Sequence, residues 1–236
     1  KWATTEIAFT GGEPFLNPNM IEIARRCLEQ NYKVLILTNA MLPMMRKSVQ
    51  KGLLELLKQY NEKLTIRISL DHLEAIIHDT ERGKGSYDIT ISGMKWLRDH
   101  GFSMAIAGRT VWGDSDKNSR LGYHELFKKN NFKIDANDPN ETILFPEMDE
   151  KIDVPEITTE CWGILNKSPE EVMCASSRMV VKRKGAKKPC VVACTLLPYS
   201  KEFEMGNTLK EAEKSVKLNH PHCAKFCVLG GASCSS

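Results

Sequence analysis

The sequence predicts an α/β fold built on parallel strands, with a small cysteine-rich appendage at its C-terminal end. Three observations carry that expectation. Strand-like and helix-like segments alternate through the first part of the chain. Their pitch is about 30 residues, the length a strand–helix–strand crossover needs. Seven of the eight cysteines fall in the last third.

The elements follow in order. Residues 6–10 are a short apolar run ending in Gly11-Gly12, and residues 19–31 place Met20, Ile23, Ala24, Cys27 and Leu28 on one helical face. The unit then recurs. KVLILT at 33–38 is a buried-strand run, and VQKGLLELLKQY at 49–60 is helical. LTIRISL at 64–70 alternates as a strand does, and residues 87–100 form a helix closed by Gly101 as its C-terminal cap. Residues 103–107, 122–130 and 142–145 read as strand, helix and strand. Such units suit either a doubly wound sheet or a full or partial barrel, and periodicity does not choose between them. Both architectures put ligands at the C-terminal ends of the strands. Here those ends carry Thr10-Gly11-Gly12-Glu13-Pro14, Thr38-Asn39, Ser69-Leu70-Asp71 and Gly108-Arg109, all small or polar apart from Leu70.

Near residues 149–155 the pattern turns acidic and proline-bearing, a linker that divides the chain into domains at 1–150 and 151–236. A hairpin follows: RMVVK at 178–182, a polar turn at 183–189, then CVVACTLL at 190–197. With the tight turn at 185–188, Cys194 is expected opposite Met179. Residues 208–216 read as a short helix before the tail HPHCAKFCVLGGASC.

Composition narrows the class. The 236 residues are 42% hydrophobic and 27% charged, which suits a globular chain with a real core. No stretch approaches the ~18 apolar residues of a membrane span, and no signal peptide opens the chain. The expectation is a cytoplasmic protein with no membrane partner. A formal charge of +3 does not call for nucleic acid, and the basic run Lys182, Arg183, Lys184, Lys187, Lys188 reads as a solvated hairpin tip.

Two glycines after a strand let the backbone approach a ligand closely, and their carbonyls can accept from a cationic group. The run Thr10-Gly11-Gly12-Glu13-Pro14 resembles the GGEP motif of radical S-adenosylmethionine (SAM) enzymes, where it ends a strand of a partial (βα)6 TIM-like barrel and binds the amino group of the cofactor's methionine. Thr38-Asn39-Ala40 is similar to that family's TNG-type segment. Ser69-Leu70-Asp71 resembles its motif for the ribose or the methionine carboxylate, and Arg109 takes the place of a polar cofactor contact after the next strand. The resemblance implies SAM as cofactor at Gly11, Gly12, Glu13, Pro14, Thr38, Asn39, Ser69, Asp71 and Arg109. It also implies a catalytic [4Fe-4S] cluster held by a C-x3-C-x2-C triad upstream of GGEP. The chain enters its first strand almost at once and has no such triad before Gly11, so the reading frame is expected to begin inside a domain, with the first strand and the cluster loop missing. Reductive cleavage of SAM to a 5′-deoxyadenosyl radical is the implied reaction, fed by a reductant such as flavodoxin or ferredoxin.

Clustered cysteines in such a chain read as metal ligands ahead of disulfides, and thiolates suit iron–sulfur clusters and zinc. The spacing from Cys174 through Gly185 to Cys190 resembles the opening of the SPASM and twitch domains, which hold auxiliary clusters downstream of some radical SAM barrels. Cys190 and Cys194 sit about 13 Å apart along one extended strand, so one cluster does not take both. Register favours Cys194. One auxiliary [4Fe-4S] cluster is therefore expected, with ligands from Cys174, Cys194, Cys223, Cys227 and Cys234. Two readings compete: a zinc site with His220 or His222, and a non-catalytic metal-binding or electron-transfer module. SPASM relatives modify peptides or proteins and twitch relatives act on small molecules, so the substrate is a peptide or a small molecule.

Overall fold

The structure is a computed structural model that describes residues 3–151 and 153–230. The chain divides after Phe145 into two units.

The first unit is a five-stranded sheet in the order β1 (Glu6–Phe9), β2 (Lys33–Thr38), β3 (Leu64–Ser69), β4 (Ser103–Arg109) and β5 (Thr142–Phe145). All neighbours are parallel. Strand order equals chain order, with no reversal. A doubly wound sheet needs a switch point where the order turns back, so the unbroken order belongs to the arc of a partial barrel.

Register explains the two faces. Ile36, Ile66, Ile68 and Ile106 lie on one face and are fully buried. They share a core with Leu53 and Leu56 of α2 (Lys47–Tyr60), Met94 and Leu97 of α4 (Ser86–Asp99) and Phe127 of α5 (Asp116–Asn130). The opposite face carries Thr65, Arg67, Ser69 and Ala107, and becomes polar toward the C-terminal rim. α1 (Met20–Glu29) connects β1 to β2, and Cys27 packs against the core as a half-buried thiol whose pKa burial raises.

Three features depart from sequence expectation in this unit, the first being that α5 starts at Asp116 and not at residue 122. α3 (Ala75–Arg82) occupies a stretch given no element from sequence. β4 continues through Arg109, so that residue ends the strand instead of following it.

The second unit holds two short helices, α6 (Cys161–Leu165) and α7 (Met173–Ser176), and an antiparallel sheet. Its strands, in the order β6 (Met179–Val181), β7 (Cys190–Val192) and β8 (Glu204–Gly206), precede a π-helical turn at Cys223–Val228. The hairpin forms with a register two residues from the expected one: Met179 faces Val192, and Val181 faces Cys190. The tight turn closes earlier than expected, where the Ala186 N–H donates to the Arg183 carbonyl at 3.0 Å around Gly185 at φ +79°. A slip of two preserves which face each side chain takes. The expected helix at 208–216 is a single turn. Ala212 N–H reaches the Thr208 carbonyl, but the Ala212 and Lys214 carbonyls accept from the Arg178 guanidinium at 3.1 and 3.0 Å, and those acceptors are lost to further helix.

Candidate functional sites

The rim of the sheet is organised by Glu13. Its side chain is buried, and both oxygens accept the Thr38 hydroxyl, at 2.9 and 3.0 Å. Oε2 also takes the Asn39 N–H at 2.9 Å, and Oε1 the Phe15 N–H at 3.1 Å. The turn after β1 is thereby bolted to the turn after β2, and four donor contacts saturate the carboxylate. Thr38 and Asn39 are fixed in turn, because Thr38 Oγ1 accepts the Ala40 N–H, Asn39 Oδ1 the Met41 N–H, and the Asn39 carbonyl the Thr90 hydroxyl of α4. What stays open is the glycine backbone. Gly11 and Gly12 are exposed, Gly11 has φ +146°, and a Cβ at either would meet nothing within 4 Å. Pro14 is buried at the start of a 3-10 turn that fixes the exit. Backbone carbonyls on an uncluttered, rigidly held turn suit an ammonium group.

The rim beyond β3 is closed by ion pairs. Asp71, buried, accepts two hydrogen bonds from Arg82 of α3, at 2.6 and 2.9 Å. Arg109 pairs with Glu81 and lies 5.5 Å from the Trp112 ring centre. Buried His72 contacts Asp114 at 3.1 Å. Ser69 is half-buried at the end of β3. The strand ends thus join Glu13, Thr38 and Asn39 in one hydrogen-bonded group, with Gly11 and Gly12 next to Glu13 in the chain, while Asp71 and Arg109 are anchored to α3. Arg82 has no local sequence signal: it lies eleven residues from Asp71, and only the return of α3 joins them. Tyr123, fully buried, supports the same rim by donating to the Leu70 carbonyl at 2.8 Å, and burial pushes its phenol well up.

In the second unit one apolar-walled cavity is lined by Cys174, Cys194, Cys223 and Cys227, with His222 beside them. Cys174 is supplied by α7, Cys194 by the segment after β7, and the other two by the π-helical turn. Burial raises the thiol pKa of Cys174, with Cys194 nearby adding to it, and burial likewise raises Cys194. Cys223 is pushed up to about 11, mainly by burial. These thiols are protonated at neutral pH in the metal-free chain, so a metal has to displace their protons. Sulfur clustered in one apolar-walled cavity, half-buried at Cys174, Cys194 and Cys227 and buried at Cys223, suits soft-metal ligation. Cys190 does not line the cavity; its sulfur meets Arg183 Nη1 at 3.0 Å. Cys161 is half-buried near the Thr158 N–H, and Cys234 lies outside the described residues.

The first unit is an α/β partial barrel with an open glycine turn on its rim, a class that places its ligands at the C-terminal ends of the strands. Residues 1–115 match the profile described as the Radical SAM superfamily. The antilisterial bacteriocin subtilosin biosynthesis protein AlbA of Bacillus subtilis (strain 168) is 39% identical over 108 residues, covering 44% of this chain and 23% of AlbA. The chain thus spans about a quarter of that relative's length. Native anSMEcpe with bound AdoMet superposes with a TM-score of 0.56 at 17% identity, over 90% of this chain and 67% of that one. Native anSMEcpe with AdoMet and the Kp18Cys peptide gives 0.56 at 17%, over 89% and 67%. Among the described residues, no helix is long and apolar enough to cross a membrane.

Proposed function

We propose that this chain forms the SAM-binding and auxiliary-cluster-bearing part of a radical SAM oxidoreductase that acts on a peptide. The observation that carries the reading is the Glu13 clamp, which holds the open Gly11-Gly12 backbone against Thr38 and Asn39 at one strand rim. In this reading the glycine carbonyls receive the SAM ammonium, Glu13 positions them without touching the cofactor, and Asn39 and Ser69 line the same rim. A bound, reduced [4Fe-4S] centre supplies the electron for cleavage of SAM, and the product to be assayed is 5′-deoxyadenosine.

The cavity thiols Cys174, Cys194, Cys223 and Cys227 would hold the auxiliary cluster. Their spacing supports iron–sulfur over a single zinc ion. Among the described residues no three of these sulfurs lie within 4.8 Å of one another, whereas tetrahedral zinc at ~2.3 Å brings its sulfurs to about 3.8 Å. A peptide substrate is supported by the name of AlbA, a bacteriocin biosynthesis protein, and by the peptide held in the anSMEcpe structure.

The test uses the full-length protein, anaerobically reconstituted. Glu13→Gln is expected to lower 5′-deoxyadenosine formation at least about tenfold, equivalent to ~1.4 kcal/mol of lost positioning, and to leave the second unit's iron chromophore intact. Cys194→Ala is expected to remove that chromophore, and Cys190→Ala to keep it. Loss of the chromophore in Cys190→Ala alone would overturn the ligand assignment, and undiminished turnover in Glu13→Gln would overturn the clamp.

A further inference from the structure

The structure assigns a second metal site to Glu150, His220 and His222, distinct from the thiol ligand set and suited to a divalent first-row ion such as Zn2+. One ligand atom from each of the three lies within 4.8 Å of the other two. Metal bonds of ~2.1 Å to nitrogen and oxygen place ligand atoms about 3–4.2 Å apart, and His220 Nε2 and Glu150 Oε1 are already 3.7 Å apart. Glu150 is largely exposed, so its side chain is free to close the remaining distance.

The second observation is independent of that clustering. His222 is buried, and its Nδ1 has no hydrogen-bond partner among the described residues. Its Nε2 lies 3.0 Å from the Met148 carbonyl, which accepts only, so the ring proton sits on Nε2 and Nδ1 presents a bare lone pair. A metal-binding histidine whose other nitrogen donates to a backbone carbonyl has this arrangement. A buried lone pair left unpaired is unfavourable, and an ion removes that penalty.

His220 is the member that must change. Its Nδ1 accepts the His222 N–H at 3.1 Å, so in the metal-free chain its proton faces Glu150 from Nε2. Coordination through Nε2 moves that proton to Nδ1 and gives up the His222 N–H contact, a loss that three coordinate bonds offset. Two imidazoles and one carboxylate are borderline donors that suit zinc or iron(II) and leave a position for water. The ion would clip the irregular segment around Met148–Glu150 to the turn that begins the tail. The inference does not depend on SAM chemistry.

The experiment measures zinc and iron together in the anaerobically reconstituted chain after dialysis against low-micromolar Zn2+. One zinc per chain is expected in the parent and in Cys194→Ser. Glu150→Gln and His220→Asn are expected to bind zinc at least about tenfold more weakly, with iron unchanged and far-UV circular dichroism superimposable. The site is refuted if the parent binds no zinc, if Cys194→Ser loses zinc while Glu150→Gln keeps it, or if His220→Asn loses iron and zinc together. Absence of iron from every sample would count against the auxiliary-cluster reading alone, because the zinc comparison is read separately.

Discussion

At the scale of single residues, the rim depends on a buried carboxylate that spends its lone pairs on Thr38, Asn39 and Phe15. Hydrogen bonds to a charged group are worth about 1.5–3 kcal/mol each. Combining Glu13→Gln with Thr38→Val in a double-mutant cycle should therefore return a coupling of about 1–3 kcal/mol in urea denaturation; additive effects would show that the clamp is weaker than its geometry. His78 provides the pH-dependent counterpart. It is fully buried, neither ring nitrogen has a hydrogen-bond partner among the described residues, and burial holds its pKa below 6.5. The folded chain keeps this ring neutral where the unfolded chain binds a proton. Its contribution is complete above the unfolded value of about 6.5 and is lost as pH falls from there through the lower folded value. Thermal melts should lose stability as pH falls below about 6.5, and His78→Leu should flatten that slope; parallel slopes in the two proteins would exclude His78 as the source. Neither the Glu13 clamp nor the His78 burial is legible in sequence, because each joins residues by folding and not by spacing.

At the scale of elements, helix α4 positions the loop after β2. Gly93 of α4 faces that loop, and a Cβ there would overlap the Ala40 carbonyl oxygen, a backbone atom that cannot swing aside. Ala40 itself has φ +54°, so the loop is already tightly constrained. Gly93→Ala should cost about 1–3 kcal/mol by overpacking and should lower SAM affinity with it, as read by isothermal titration beside chemical denaturation. A stable variant with unchanged affinity would detach α4 from the site. Strands β2 and β5 were legible to the residue, because apolar runs bounded by polar turns survive any packing arrangement. α3 was not, since its eight residues include four charged or titratable groups beyond its apolar pair, and its role is to return Arg82 to Asp71. The short helix at 208–216 was over-read because Arg178, some thirty residues earlier, takes its carbonyls.

At the scale of the whole molecule, the two units rest on different means of stabilisation. The first has an extensive core of strand isoleucines and helix leucines. The second has a small one, built around Val191, Phe203 and Met205 with Cys223 among them. A domain with so little apolar area should gain stability from metal ligation. Calorimetry of the reconstituted protein should give two transitions, and stripping the metal should lower only one of them; a single transition unmoved by chelation would contradict this. The sequence by itself determined the alternation of strands and helices, the GGEP and Thr-Asn rim segments, and the concentration of cysteines in the tail, because these are local patterns of polarity and residue type. Only the tertiary structure decided that the strands run in unbroken order, that Glu13 clamps Thr38 and Asn39, and that Cys194 and not Cys190 enters the cavity with Cys174, Cys223 and Cys227. Those outcomes depend on crossover direction, hairpin register and the return of distant segments, which residue spacing along a chain does not encode.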